Sequence, residues 1–505
     1  MKQDLKIGVI GAGFSGLCAA IQVKKQLGLD VEIIDKDSDF GGTWHVNTYP
    51  GCACDIPSHV YSFSFELNPY WSRYQSPRQE ISAYLRSVAA KYGLYQQTRF
   101  NTEVVAAHWI ESDQLWKVTV RKAFWSAHGA TYGDTEELYY NVLFGAVGPL
   151  MVPNKPEMFD SFQGKVVHTA KWDNSIDMKN KRVAVIGSGA SAIQTIPEIA
   201  KEAKSLYSYQ RRPAWVGPQI GNFYSQRTKT IFSWFPVLMR LYRWLIFILL
   251  DRNIRIFNRP EEFNEIARQR FTAYMTKTLT SLNRKDLIEK LVPDYPVGCK
   301  RIAYSRIYLE GIARENVYVE RSPIAAVKSN SIVTEDGEER EIDVLVLATG
   351  FITQDYMGPL QIYGQNGLSL KKYWAENGFP KTYKTVTVNQ FPNLFVILGP
   401  GSGLGHNSVV IMAECQVNYA VDCIRKMMKK SVKSINVKAE RAEQFSSTLE
   451  QELSSTVWSR NCMSWYQNAM GKVTLLWSRS VTEFWWTTRS ANLHDYEQIK
   501  AVKQS

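Results

Sequence analysis

Cysteine and histidine are both scarce, seven of each in 505 residues. The cysteine count is odd and the spacing fits no disulfide framework. Cys52 and Cys54 form C-x-C, not C-x-x-C, and no second pair accompanies them. This argues against a disulfide scaffold or a zinc site, and it predicts reduced thiols in an intracellular protein with no metal. A disulfide reductase would carry a C-x-x-x-x-C pair near its flavin, and the chain has none. Low-complexity tracts and long blocks of one charge are also missing. The densest basic cluster, Arg425 to Lys438, falls where a helix is expected to end, and cations there suit the helix dipole. The net charge of +12 therefore points to anionic cofactors or an anionic membrane surface, not to nucleic acid. The apolar residues from Leu5 run straight into Gly11, so they read as a strand and not as a signal-peptide core. A cytoplasmic location is expected.

With 45% hydrophobic and 21% charged residues the chain is ordinary globular material, and 505 residues exceed one core. Its first block reads strand, Gly11-Ala12-Gly13-Phe14-Ser15-Gly16, helix, then a strand Val31 to Asp35 that ends in an acid. That is a dinucleotide-binding βαβ unit. Gly11 permits the turn, Gly13 admits a pyrophosphate, and Gly16 lets helix and strand pack closely. The helix N-terminus favours phosphate, and Asp35 is the candidate for the ribose hydroxyls.

A second unit starts at Lys181 to Ile186 and continues through Gly187-Ser188-Gly189-Ala190-Ser191-Ala192. Its next strand, Ser205 to Tyr209, ends in Gln210-Arg211-Arg212-Pro213 instead of an acid. Cations there fit a 2′-phosphate, which favours NADP over NAD; a solvated arginine pair is the bland alternative. The two loops are the only internal repeat. Two such units in one chain favour an oxidoreductase with FAD first and NADPH second. A proline-punctuated crossover, Pro149 to Pro156, joins them. The expected fold is α/β, with two Rossmann-like domains. Residues 1–150 form the first part of the FAD domain. Residues 151–340 form the NADP domain, with a helical insert at about 215–295. Residues 341–505 return to the FAD domain.

Ile231 to Leu250 is apolar nearly all round but holds Pro236, Arg240 and Arg243. A span needs roughly 18 or more apolar residues with few charges, so this segment is too interrupted to cross a membrane. A buried or tunnel-lining helical insertion is the expectation. A helix lying in a membrane interface, flanked by Arg227, Lys229, Arg252 and Arg255, is the alternative. The C-terminal tryptophans, Trp465, Trp477, Trp485 and Trp486, are expected in the core.

Three further motifs carry a family resemblance. Phe162 to Asp173 reads F-x-G-x-x-x-H-x-x-x-W-D, with Phe162, Gly164, His168 and Trp172 at its fixed positions. Gly41 to Asp55 reads G-G-x-W-x-x-x-x-Y-P-G-x-x-x-D, and includes Gly42, Thr43 and Trp44. Val344 to Leu347 is a strand that runs into Ala348-Thr349-Gly350. Together these resemble class B flavin monooxygenases of the Baeyer–Villiger type over essentially the whole chain. Residues 399–408 resemble the hydroxyacetophenone monooxygenase branch. The resemblance implies an FAD-dependent enzyme that consumes NADPH and O2 and converts a ketone to an ester or lactone through a C4a-peroxyflavin. Oxidation of a sulfur or nitrogen centre is the alternative within the class. The resemblance also implies residue roles: Arg301 as the cation beside the reacting oxygen, Asp55 as its orienter, Lys300 on the NADP phosphate or ribose, and His168 at an interdomain hinge. Ala348 to Gly350 would return the chain to the flavin domain. A helix starting near Ser408 would aim its positive end at the flavin.

Overall fold

The computed structural model describes residues 5–500 except 127–128, 220, 222, 306, 377, 461 and 463. The chain opens with β1 (Ile7–Ile10), α1 (Phe14–Leu27) and β2 (Glu32–Ile34). A short β3 (Thr98–Arg99) precedes three long strands, β4 (Thr102–Ile110), β5 (Leu115–Ser126) and β6 (Gly129–Tyr140). Next come β7 (Val142–Gly145), β8 (Lys165–His168), β9 (Arg182–Ile186), α2 (Ala190–Ile199) and β10 (Ser205–Tyr209). The insert holds α3 (Gln226–Trp234) and α4 (Pro236–Asp251). β11 (Val317–Glu320), β12 (Val344–Leu347), β13 (Leu394–Val396), α5 (Val409–Lys430) and α6 (Val481–Thr488) follow.

Two five-stranded parallel sheets organise the molecule. The first runs β13–β7–β1–β2–β3 and the second β11–β10–β9–β12–β8. β1, β7 and β12 are buried throughout, as short apolar runs in a doubly covered parallel sheet should be. β13 pairs with β7, so the first sheet draws on both ends of the chain. β12 is still a strand of the second sheet. The chain leaves and returns side by side: Pro153 bridges Phe351, and Asn154 N–H donates to Gly350 O at 2.9 Å. β4, β5 and β6 form an antiparallel layer whose buried Trp116 donates to Pro392 O.

Three expectations are corrected. First, α3 and α4 are not a buried insertion. They bend by 111° at Phe235, where Pro236 can neither donate a backbone N–H nor continue the preceding turn. α4 turns Met239, Arg243 and Ile246 inward and leaves Val237, Leu241, Trp244 and Leu245 exposed. Arg243 accounts for the orientation, because its guanidinium reaches the His59 carbonyl and the Ser62 hydroxyl inside the fold. No single helix among the described residues is long and apolar enough to cross a membrane.

Second, of the four C-terminal tryptophans only Trp477 is buried; Trp465, Trp485 and Trp486 are exposed. Trp485 and Trp486 are adjacent on a short helix, whose inward positions go to Val481, Phe484 and Thr488.

Third, the thiols are not all reduced. Cys299 and Cys462, 163 residues apart in sequence with Cα atoms 6.0 Å apart, form a disulfide. Sequence spacing carries no trace of it, because the pairing exists only in the folded contact. The other five cysteines are free and buried. Thiol titration of the unfolded protein should find five groups before reduction and seven after it. Seven before reduction would refute the bond.

Candidate active site

Two glycine-rich loops meet at the first sheet. α1 begins after Gly13 with no side-chain cap, so its first N–H groups are free to meet an anion. At Gly16 a Cβ would overlap the Gly11 carbonyl, which enforces the close strand–helix packing expected of that position. A Cβ on Gly42 would meet Gly13 Cα at 3.0 Å and fill the gap between the two loops. The narrow cradle therefore fits a pyrophosphate. Thr43 opens a short helix at its rim, and the buried Trp44 donates through Nε1 to Tyr61 Oη at 3.3 Å.

Asp35 follows β2 beside this cradle. Its carboxylate accepts from the backbone N–H groups of Ala12 and Asp37. Burial, then the neighbouring Asp37 charge, push it up to about 7 against those hydrogen bonds. Its carboxylate thus ties the glycine loop to the end of β2.

The Tyr49-Pro50-Gly51 turn does something sequence reasoning missed. A Cβ at Gly51 would overlap the Gln194 carbonyl on α2, in the second domain. Tyr49 Oη donates to Gln194 Oε1 at 2.9 Å, and Gln194 Nε2 donates to Ala53 O at 2.8 Å. Ser191 also hydrogen-bonds Tyr49. The turn is a docking contact between the two nucleotide domains. Gln194 bore no signal, since only the motif's partner across the interface explains it.

The second cradle follows the same plan. Gly187 packs on the Ala348 carbonyl, Gly189 precedes α2 with open space around it, and Ser188 Oγ donates to Arg212 O at 2.6 Å. Arg211 is exposed and Arg212 half-buried. Lys300 lies within their field: burial, then the Arg212 and Arg211 charges, bring it down to about 8. Three cations gathered in one place suit a polyanion. A 2′-phosphate, which NADP carries and NAD lacks, has the charge that would complement such a cluster.

Arg301 and Asp55 meet as sequence reasoning expected. Arg301 donates from Nε to Asp55 Oδ2 at 2.9 Å and from Nη2 to Oδ1 at 2.8 Å, a fork that fits both carboxylate oxygens. Nη1 donates to Leu404 O at 3.2 Å. Burial works against the arginine charge, but the Asp55 carboxylate outweighs it and holds the guanidinium charged. Tyr466 stands beside the pair and hydrogen-bonds Arg301; its place in a long aromatic tail hid it in the sequence. Leu404 belongs to the 399–408 loop, where Ser408 caps α5 by accepting from Val410 N–H.

The Phe162–Asp173 run is scattered over the fold. Phe162 is buried in a small core behind the second sheet, and a Cβ at Gly164 would meet its ring at 2.6 Å. His168 lies between the two crossover segments. It accepts from Ala170 N–H through Nδ1, and its Nε2 is 3.3 Å from Thr349 Oγ1, which in turn donates to Asn154 O. Burial holds this imidazole below its usual pKa. Gly350 accepts from Asn154 N–H on the same crossover. Trp172 packs against both main cores. None of the four touches Arg301 or Asp55 through a described hydrogen bond. Among the described residues no His, Cys, Asp or Glu cluster could hold a metal.

Two nucleotide cradles, docked through Gln194 and joined by a forked arginine–carboxylate pair, define a two-cofactor flavoprotein oxidoreductase. Family models agree: residues 9–75 match an NAD(P)-binding Rossmann-like domain, and residues 63–217 match L-lysine 6-monooxygenase/L-ornithine 5-monooxygenase. A Baeyer–Villiger monooxygenase of Pseudomonas aeruginosa is 38% identical over 97% of this chain and 91% of its own length. One from Streptomyces coelicolor is 34% identical over 99% and 93%. A closed crystal structure of cyclohexanone monooxygenase superposes with a TM-score of 0.84 at 26% identity, covering 98% of this chain and 99% of that one. A crystal structure of OTEMO in complex with FAD and NADP also gives 0.84, at 25% identity with the same coverage. The chain belongs to the Baeyer–Villiger monooxygenase family, flavoprotein monooxygenases that use FAD and NADP.

Proposed function

We propose that this enzyme converts a ketone to an ester or lactone, and that the step depends on Arg301 held in place by Asp55. The forked Arg301–Asp55 pair carries this reading. When bound, FAD reduced by NADPH supplies the oxygen taken from O2. Every other requirement falls on the chain. An oxygen inserted beside a carbonyl must arrive as a nucleophile, so negative charge gathers next to the reacting carbon. A fixed cation lowers the energy of that charge without having to reorganise. Arginine suits because it does not deprotonate and its planar fork keeps its direction. A guanidinium has more donors than Asp55, Leu404 and Tyr466 together use, which leaves capacity for a reacting oxygen.

Gly11, Gly13, Gly16, Asp35, Gly42, Thr43 and Trp44 would hold FAD. Gly187, Ser188, Gly189, Ser191, Arg211, Arg212 and Lys300 would hold NADPH. His168 and Thr349 span the two crossovers and would set the angle between the domains. The start of α5, capped by Ser408, would point the positive end of the helix dipole at reduced flavin.

The rival reading, oxidation of sulfur or nitrogen, draws on the partial match to lysine and ornithine monooxygenases. Near full-length relatives favour the ketone reaction. Turnover of a ketone panel and a sulfide under labelled O2 tests this. One labelled atom in an ester is the expected product. A sulfoxide with no ester from any ketone would overturn the proposal. Peripheral membrane contact through 231–250, by a cytoplasmic enzyme drawing on NADPH, belongs to the same reading and is supported by the exposed face of α4.

A further inference from the structure

We propose that the α3–α4 elbow anchors the enzyme to an anionic lipid bilayer, with Trp234 and Phe235 entering the interface. This rests on the peripheral-contact reading and adds to it the lipid charge and the inserting residues. α4 is apolar on its outward side, although that side faces solvent. Its inward stripe contains the charged Arg243, hydrogen-bonded to His59 and Ser62. Its outward stripe includes Val237, 73% exposed, and Leu249, 63% exposed, with Leu241, Trp244 and Leu245 between them. A surface helix of a water-soluble fold carries polar residues on its outward face. Single exposed apolar residues are ordinary, but a continuous stripe marks a contact surface.

The bend makes this stripe a wedge. Trp234, the last residue of α3, is 75% exposed, and Phe235, at the 111° turn itself, is 55% exposed. Tyr70, also exposed, hydrogen-bonds Ser233 at 2.9 Å and braces the elbow. Aromatic rings at such a turn fit the headgroup level of a bilayer.

Charge selects the partner. Between residues 216 and 259 the only acid is Asp251. It is buried and used up: its carboxylate accepts from the N–H groups of Val481 and Thr482 at the start of α6. Arg227, Arg240, Arg252, Arg255 and Arg259 are exposed along the same segment. Each such cation is attracted to an anionic leaflet, whereas an apolar groove on a second protein would gain little from them. A second aromatic–cation group stands where α4 ends. There α6 exposes Trp485 and Trp486, and Arg489 lies 3.6 Å over the Trp486 ring. An amphipathic element with an apolar face, flanking arginines and aromatic ends matches an interfacial helix, not a span.

Flotation of the FAD-loaded enzyme tests this, using phosphatidylcholine vesicles with and without phosphatidylglycerol. Binding to the anionic vesicles should exceed binding to the neutral ones at least about tenfold at low salt and weaken as salt rises. The double variant Trp234→Ser/Phe235→Ser should lose about tenfold or more of that binding and still turn over a small soluble ketone. Arg227→Glu/Arg240→Glu should lose both the binding and its salt dependence. Equal binding to both vesicles would overturn the anionic assignment and leave peripheral contact standing. No binding to either would overturn both. Self-association in solution that Trp234→Ser/Phe235→Ser abolishes would assign the face to a second copy and likewise overturn the proposal.

Discussion

Arg301→Ala is expected to keep its flavin, reduce it with NADPH, and make almost no ester. NADPH oxidation should continue, with its electrons released as hydrogen peroxide. The separation follows from the geometry. Neither nucleotide cradle is built from Arg301; it joins Asp55 of the first domain to the Leu404 carbonyl of the 399–408 loop. Hydride transfer to the flavin needs no cation at that point, while the developing negative charge does. Loss of one preorganised donor of this kind costs about 10²–10³ in rate, or about 2.7–4 kcal/mol. Arg301→Lys should recover little, because a point charge cannot grip both oxygens of Asp55. One artefact must be removed: Arg301→Ala strands the Asp55 carboxylate. The pair is about a quarter exposed, at 24% and 22%, so the stability loss should fall below the roughly 3 kcal/mol of a fully buried pair. Arg301→Ala/Asp55→Ala removes the stranded charge. If the double variant regains ester formation, Arg301 has only a structural role. Simultaneous measurement of NADPH consumption, peroxide and ester distinguishes these outcomes.

The parts legible in the sequence are those in which chemistry is local. Gly16 could be assigned from spacing because its constraint, contact with the Gly11 carbonyl, lies within one turn of chain. Ser205 to Tyr209 was readable as a strand for the same reason, and the structure forms it with those bounds. Arg301 and Asp55 needed a resemblance, because 246 residues separate them and no periodicity links them. Gln194, Tyr466 and the Cys299–Cys462 bond stayed hidden: each has meaning only through a partner in another domain or the C-terminal region. The α3–α4 segment was misjudged for a different reason. Apolar composition on all sides leaves the helix orientation undetermined, and one interior arginine decides it. The Phe162–Asp173 run was informative as a family mark. In the structure its residues serve packing and the crossover, with Phe162 behind the second sheet and His168 at Thr349.

Lys300→Ala should raise the KM for NADPH at pH 7 by about tenfold to a hundredfold and leave kcat at saturating NADPH nearly unchanged. That range corresponds to about 1.5–3 kcal/mol for a charge-assisted hydrogen bond. NADH, lacking the 2′-phosphate, should show little change. The pH dependence gives a sharper test. Burial and the two arginines bring Lys300 down to about 8 in the free enzyme. The phosphate prefers the charged amine, so binding raises this pKa, and by linkage the complex takes up a proton once the pH passes the free-enzyme value. NADPH affinity is therefore full below pH 8 and falls as pH rises through about 8. The fall is at most about tenfold per pH unit until the pKa of the complex is reached. A group held at its ordinary lysine value would show no such fall in this range. Lys300→Arg keeps the charge without titrating, so its KM should stay flat from pH 7 to 9. A wild-type KM that is also flat, or an Arg variant that keeps the slope, would remove Lys300 from the phosphate site and leave the discrimination to Arg211 and Arg212. The same measurement separates position from charge, because Lys300 precedes Arg301 directly. If Lys300→Ala lowers ester yield per NADPH at saturation, it has disturbed Arg301; if yield holds while KM rises, the two neighbours act independently, one on the cofactor and one on the reacting oxygen.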